Sequence, residues 1–258
     1  IEWLGFSTTN PWMADEIADL IALDSEVALQ SYVADGVAAE KCRVTGSASH
    51  DILALAKSKK PGKELAPAIR SSGLNLEAPF ALSFLPPDQT PNQMAGFEFP
   101  SYWDMLLFWI DAATAQYVVP AVFSLHPRMN DLAGQLLNRF PKIRIFCGDA
   151  CELIPHAKFC VGQFGGMMRY AIACAKPVLY YDVFNYDIRE SEFITTPSVV
   201  TVKSRAAFAE TYARFSTNGA FLSGLEMNAR TIASKWGNLD GGAMDRIEAA
   251  IADQFLHH

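Results

Sequence analysis

Most of the markers that would name a chemistry outright are missing from this sequence. There is no Gly-x-Ser-x-Gly, no Walker A loop, no His-Glu-x-x-His and no EF-hand pattern, so the usual signatures of serine hydrolases, P-loop enzymes, zinc proteases and calcium sensors do not apply. No run approaches the roughly 18 apolar residues of a membrane span; the most apolar segments, 105–110 and 117–125, are short, and Pro120 and His126 mark the second as globular. No signal peptide is visible. Basic charge is scarce: 21 Lys and Arg against 28 Asp and Glu leave a net charge of −7, which argues against a nucleic-acid partner. Five cysteines, Cys42, Cys147, Cys151, Cys160 and Cys174, form no Cys-x-x-Cys pair. They read as free, mostly buried thiols of a reducing compartment. No histidine lies at ligand spacing from two of them, so neither zinc nor any other metal is expected, and Asp149, Glu152 and His156 resemble a metal set by composition only.

What is there is hydrophobic mass. Half of the 258 residues are hydrophobic, enough for one large or two modest domains. Short apolar runs alternate with helical spacing. Strands are expected at 20–23, 41–44, 80–85, 118–123, 143–146, 159–161, 178–181 and 199–202. Helices are expected at 25–34, 50–58 (capped by Ser49), 103–116, 132–140, 151–155, 166–175 and 205–215, then at 227–255 with a break at Asn238–Gly242. Strand-then-helix repetition gives a parallel sheet with right-handed crossovers. The fold class is thus α/β: a Rossmann-like parallel sheet with flanking helices, preceded by the end of another Rossmann-like half. The expected divisions are 1–50 for that end, 51–79 for a linker and helix, 80–230 for the main domain and 231–258 for a crossover helix. The basic stretch Lys57–Lys63 reads as a solvated linker. His50-Asp51, after Thr45-Gly46-Ser47, is a hinge candidate between the units. The chain starts at Ile1 in mid-pattern, as a fragment or processed chain would, and His257-His258 has the look of a tag remnant.

Open α/β sheets bind ligands beyond the carboxyl ends of their strands, so strand-end residues are the candidates. His126-Pro127-Arg128 follows one strand; the proline fixes the turn and biases His126 out of the sheet, where its imidazole can donate to a phosphate or ribose oxygen. Gly165 and Gly166 follow another strand and open a helix, where glycine lets a diphosphate approach first-turn N–H groups. Arg169, on that first turn, can pair with a phosphate or serve as a surface cation. Asp182, just past a third strand, either binds a sugar hydroxyl or caps the next turn. The turn Leu85-Pro86-Pro87-Asp88-Gln89 faces the same cleft.

These residues resemble a family. Asp19–Glu26, Gly36-Val37 and Val44-Thr45-Gly46-Ser47 with Asp51 are similar to the passage between the halves of GT-B-type nucleotide-sugar enzymes. Ser124–Arg128 looks like the His-Pro loop of GT-B glycosyltransferases of bacterial surface polysaccharides. Phe164-Gly165-Gly166 through Lys176-Pro177-Val178 is similar to their glycine-rich turn, helix and following strand, and Leu239–Ala243 with Arg246-Ile247 to their closing helix. The resemblance implies the donor-binding half of a metal-independent glycosyltransferase with no cofactor. A nucleotide-sugar donor and a glycan acceptor would be its partners, with an N-terminal acceptor domain outside this chain and a site that is cytoplasmic or peripheral at the inner membrane. His126, Arg128, Gly165, Gly166, Arg169 and Asp182 would line the donor site; no catalytic residue is assigned. Two departures stand out. The non-hydrolysing 2-epimerases carry a His- and Arg-bearing turn where this chain has Leu85–Gln89, and many relatives place an acidic ribose ligand where it has Arg169 and Tyr170. The alternatives are an epimerase or polyol-phosphate transferase on the same scaffold, or a non-catalytic module of a larger assembly.

Overall fold

The computed structural model describes residues 18–59, 69–70, 78–89, 96–115, 118–163, 165–186 and 191–256, with backbone alone at 69–70, 191, 255 and 256. Lys60–Lys63 of the expected linker, Phe164, Asp187–Glu190 and His257-His258 lie outside them. Strands β1 (Ile21–Leu23) and β2 (Cys42–Val44) pair in parallel. Helix α1 (Glu26–Ala34) joins them, capped by the Ser25 hydroxyl, which accepts from the Ala28 N–H. A small core of Leu23, Ala28, Tyr32 and Cys42 holds this unit together. Helix α2 (Ala48–Ser58) then leads away. Its N-cap is Ser47 rather than the expected Ser49.

The second unit is a seven-stranded sheet in the order β3-β6-β5-β4-β7-β8-β9. Its strands are β3 (Ile69–Arg70), β4 (Ala81–Leu85), β5 (Ala121–Leu125), β6 (Ile145–Phe146), β7 (Phe159–Gly162), β8 (Val178–Tyr181) and β9 (Val199–Val202). All neighbours are parallel except β3, which runs antiparallel to β6 at the edge. From β4 the chain winds outward through β5 and β6, then returns to β7 and winds the other way. The switch point therefore falls between β4 and β7, where a doubly wound sheet opens a crevice.

Alternation along the strands separates two cores, as a pleat of period two requires. Ala81, Phe123, Phe159, Val161, Leu179 and Tyr181 face one side. Helices α3 (Tyr102–Thr114), α4 (Leu132–Arg139) and α7 (Arg205–Thr217) cover it through Trp109, Leu136, Phe208 and Tyr212. Leu82, Val122, Cys160, Val178 and Tyr180 face the other. There α2, α5 (Gly166–Ala173) and the end of α8 (Gly219–Trp236) supply Leu53, Met168, Ile172 and Trp236. One buried polar pair ties α3 to the sheet: the Trp109 indole N–H donates to Ser83 Oγ at 2.8 Å. A short helix α6 (Ser191–Ile194) precedes β9, and α9 (Ala243–Leu256) closes the chain.

Several boundaries moved for local reasons. β5 begins after Pro120 and runs to Leu125, so Val118 and Val119 lie outside it and His126 is the first residue past the strand. The expected helix at 151–155 is two 3-10 turns, Ala150–Glu152 and Ile154–His156, with Pro155 in the second. α8 starts eight residues earlier than its apolar spacing implied, because Asn218 caps it by accepting from Phe221 N–H at 3.0 Å. All five cysteines are free, and all but Cys147 are buried. No helix among the described residues is long and apolar enough to cross a membrane.

Candidate functional site

β5 and β7 both pair with β4, so the turns that follow them flank the β4 turn. They lie about two strand spacings, roughly 10 Å, apart. On one flank His126 caps a 3-10 turn, Pro127–Met129: its Nδ1 accepts from the Arg128 N–H at 3.2 Å. That bond makes Nδ1 the acceptor and leaves the proton on Nε2, which gives the exposed ring a donor for a ligand. Packing of the ring on its turn, and the nearby Arg128 charge, hold its pKa below the usual histidine value, so the imidazole is neutral at pH 7. His126, Pro127 and Arg128 are exposed, and Met129 is buried beneath them.

Tyr102, at the start of α3, ties this flank to the β4 turn. Its hydroxyl donates to the Pro86 carbonyl at 2.7 Å and lies 3.3 Å from Met129 Sδ. Burial, reinforced by Asp88, drives its pKa far up, so the phenol stays a donor. Nothing in the sequence spacing pointed to this residue, since its two partners lie on different loops.

On the other flank, β7 ends at Gly162 and α5 starts at Gly166, with Gly165 as N-cap and no side-chain cap. Among the described residues, a Cβ built on Gly165 would meet nothing closer than 3.9 Å, and one on Gly166 likewise nothing closer than 3.9 Å. Neither has the left-handed φ that favours glycine. Packing and backbone thus leave these two glycines unexplained, in contrast to Gly162, where a Cβ would lie 2.9 Å from Met168 Cε and 3.3 Å from Phe84 Cβ. Between them sits Gln163, half-buried, whose Nε2 is buried with no hydrogen-bond partner among the described residues. It too was missed by sequence reasoning, because an isolated glutamine carries no pattern.

Two other expected site residues are turned elsewhere. Asp182 is 1% exposed and its Oδ1 accepts from the Tyr186 N–H at 2.9 Å; the capping arrangement is the one it adopts. Arg169 is 3% exposed because it points across to the first unit rather than into the crevice. Its Nη2 donates to Asp24 Oδ1 at 2.9 Å and to Ser25 Oγ at 3.1 Å, and its guanidinium lies 5.7 Å from the Trp236 ring centre. Strand order thus sets His126 and Arg128 on one side of the β4 turn and Gln163, Gly165 and Gly166 on the other, while Asp182 caps its own turn and Arg169 is packed against the first unit. A separate groove of about 410 Å³ between β2 and α9 is lined by Arg43, Thr45, Arg246 and Asp253, and by none of these residues. Among the described residues no group of three or more His, Cys, Asp or Glu could hold a metal ion.

No family model matches the sequence, and no curated protein does. Solved structures do match the fold. The wall teichoic acid polymerase TagF superposes with a TM-score of 0.65 at 11% identity over 100% of this chain and 65% of its own. A UDP-GlcNAc 2-epimerase from Neisseria meningitidis, bound to UDP-GlcNAc, gives 0.64 at 14% over 96% of this chain and 68% of its own. MnaA from S. aureus, in a UDP co-structure, gives 0.61 at 17% over 93% of this chain. The fold is GT-B-like, of the kind shared by nucleotide-sugar transferases and epimerases. The chain spans 58% of a TagF H548A structure and 60% of the MnaA one.

Proposed function

We propose that the crevice between the turns after β5 and β7 binds the nucleotide part of a nucleotide-sugar, and that the chain is the donor-binding part of a GT-B-type glycosyltransferase of polysaccharide biosynthesis. The observation that carries this reading is that no described residue crowds Gly165 or Gly166, an added Cβ meeting nothing closer than 3.9 Å at either. Two adjacent glycines that neither packing nor φ requires stand at the N-terminus of a helix, beside the switch point of a parallel sheet. That combination suits a diphosphate lying against backbone N–H groups, with the helix dipole favouring its charge.

His126 completes the anion site from the opposite flank, donating through Nε2, and the exposed Arg128 adds a positive charge. The Gln163 amide is a third donor, and a donor rather than an acid suits a phosphate oxygen. During transfer these groups would stabilise charge developing on the departing nucleotide, as pre-oriented donors do in a partly dehydrated site. Arg169 takes no part, since its guanidinium is held by Asp24 and Ser25. The ligands of the neighbours are in keeping with this: UDP-GlcNAc in the Neisseria epimerase, UDP in MnaA and CDPG in soaked TagF.

A second reading has one observation in its favour. Many GT-B relatives are expected to carry an acidic ribose ligand where this chain has Arg169, and that arginine is locked into the junction. A module that keeps the fold without catalysis would tolerate this change, whereas an epimerase or polyol-phosphate transferase would need the ribose read from elsewhere. Calorimetric titration with UDP, CMP, GDP and CDP separates the readings. Binding of one nucleotide in preference to the others, weakened by His126→Ala, supports the donor site and names its base. No heat with any of the four removes it and leaves the scaffold reading.

A further inference from the structure

The chain passes between its two units twice, and both passages meet at one side chain. The first runs from β2 through Thr45-Gly46-Ser47 into α2; the second runs from α8 through Gly237 to α9. His50 is 0% exposed and sits between them. A Cβ on Gly46 would lie 3.4 Å from its Nδ1, and one on Gly237 would lie 2.8 Å from its Nε2 and 2.7 Å from its Cε1. Its ring meets Tyr170 edge-on with centroids 5.5 Å apart. Neither ring nitrogen has a hydrogen-bond partner among the described residues, and neither has the buried Ser47 Oγ at the start of the same helix.

Charged groups surround this imidazole from every element packed on it. Asp24 comes from the end of β1, Arg169 from α5, Asp51 from its own helix and Arg246 from α9. Both carboxylates are already engaged. Asp24 Oδ1 accepts from Arg169 at 2.9 Å and from the Ser25 hydroxyl at 2.7 Å. Asp51 caps α9, with Oδ1 accepting from the Ala243 N–H and Oδ2 from the Met244 N–H, each at 2.9 Å. Arg246 in turn donates from Nε to the Thr45 carbonyl at 2.8 Å and from its terminal nitrogens to Asp240 at 2.9 and 3.1 Å.

We propose that His50 is an acid-sensitive wedge in this joint, and that its protonation loosens the tie between the two units. A neutral ring fits the gap, at the cost of nitrogens that find no partner. An imidazolium has two N–H donors and a full charge, and a buried charge needs an acceptor. The nearby acceptors are Asp24 and Asp51. Recruiting Asp24 takes it from Arg169; recruiting Asp51 uncaps α9. Arg169 and Arg246 meanwhile repel the new cation. Burial holds the imidazole pKa below its usual value, against the pull of Asp24 and Asp51. A histidine depressed in the folded state leaves stability intact above the unfolded pKa of about 6.5 and removes it as the pH falls through that value. The proposal stands apart from the nucleotide site, which uses none of these groups.

The test follows each histidine Cε1–H resonance of the 258-residue chain by NMR from about pH 8 to pH 5, a window around the unperturbed value near 6.5, with amide-exchange protection factors for Ala28, Ala243 and Met244. The expected result is a His50 resonance that titrates below about 6.5, with protection at one or more of these amides falling about two-fold or more as the pH drops from about 6.5 to that midpoint. His50→Leu should flatten that fall, and His50→Gln, which keeps polarity without titrating, should do the same if the leucine variant does not fold. A His50 that titrates at or above about 6.5, protection that stays constant while His50 titrates, or an equal fall in a folded variant would each overturn the proposal.

Discussion

Two pairs of glycines in this chain do opposite things. Gly165 and Gly166 face open space, with nothing closer than 3.9 Å to an added Cβ. Gly46 and Gly237 are closed in, the first with Ala243 Cβ at 2.9 Å and the second with the His50 ring at 2.7 Å. The uncrowded pair is where we propose a ligand, and the closed pair makes room for the protein itself. The polar groups around them divide the same way. In the crevice, His126 and Gln163 keep donors in reserve. At the joint, Asp24, Arg169, Asp51 and Arg246 are already bound to one another or to backbone. The joint also holds unused groups, the two His50 nitrogens and Ser47 Oγ, but they are sealed inside it, whereas the His126 ring is exposed to solvent.

The sharpest way to break this contrast is to remove the largest commitment at the joint. Arg169→Met leaves Asp24 beside Ser25 without its cation and strips the Trp236 face of its guanidinium. Removing one member of a buried pair costs about 3–5 kcal/mol. The Asp24 side chain is 21% exposed, which lowers the expectation here to about 2 kcal/mol, since water replaces part of what is lost. Chemical denaturation should show that fall, while affinity for the preferred nucleotide stays within about two-fold, under 0.5 kcal/mol. A large loss of affinity at unchanged stability would place Arg169 in the crevice after all.

The glycines give the next largest effect and test both sides at once. Gly237→Ala pushes a methyl group into the His50 ring, and overpacking of this kind costs about 1–3 kcal/mol. Gly165→Ala meets no such obstacle, so it should cost at most the glycine-to-alanine difference at an N-cap, about 0.5–1 kcal/mol. It should instead weaken nucleotide binding about ten-fold, or 1.4 kcal/mol, because the methyl group occupies the space a phosphate would use. Equal loss of stability in the two variants would erase the distinction drawn here.

How much of this could be read from the residues depended on distance along the chain. Strands β4, β7, β8 and β9 follow from apolar runs that are local, and the His-Pro and Gly-Gly turns follow because each lies within a few residues of a strand end. β3 did not, since two residues at an antiparallel edge carry no periodicity. The Arg169 partner could not be foreseen: Asp24 lies 145 positions away, and first-turn spacing says only where the arginine starts, not where it points. The Thr45-Gly46-Ser47-x-x-His50-Asp51 stretch is legible as a passage between units, while the second passage, at Gly237, lies far beyond any local window.

Asp51→Asn is a milder test of the joint. Its carboxylate accepts from two first-turn amides of α9, and the asparagine keeps one acceptor while losing the charge that favours a helix N-terminus. A cost of about 0.5–1 kcal/mol is expected, felt mainly as faster amide exchange at Ala243 and Met244, with nucleotide affinity unchanged. Coupled loss of affinity would mean that the joint and the crevice are mechanically linked.

The smallest effect belongs to the crevice side chain. His126 is exposed and neutral, so His126→Ala should leave the denaturation midpoint where it is and weaken nucleotide binding by about three- to ten-fold, the net value of one solvent-competed hydrogen bond of about 0.7–1.4 kcal/mol. Its pH behaviour sharpens the point. The pKa is lowered, so lowering the pH toward 5 adds a proton at Nδ1, the atom that now accepts from Arg128 N–H. The new cation attracts a phosphate, but the turn that aims Nε2 loses its bond. If charge dominates, affinity rises in acid in the parent and not in His126→Ala; if aim dominates, it falls in the parent alone. A pH profile identical in the two proteins would show that His126 does not touch the nucleotide, leaving the glycine turn as the whole of the anion site.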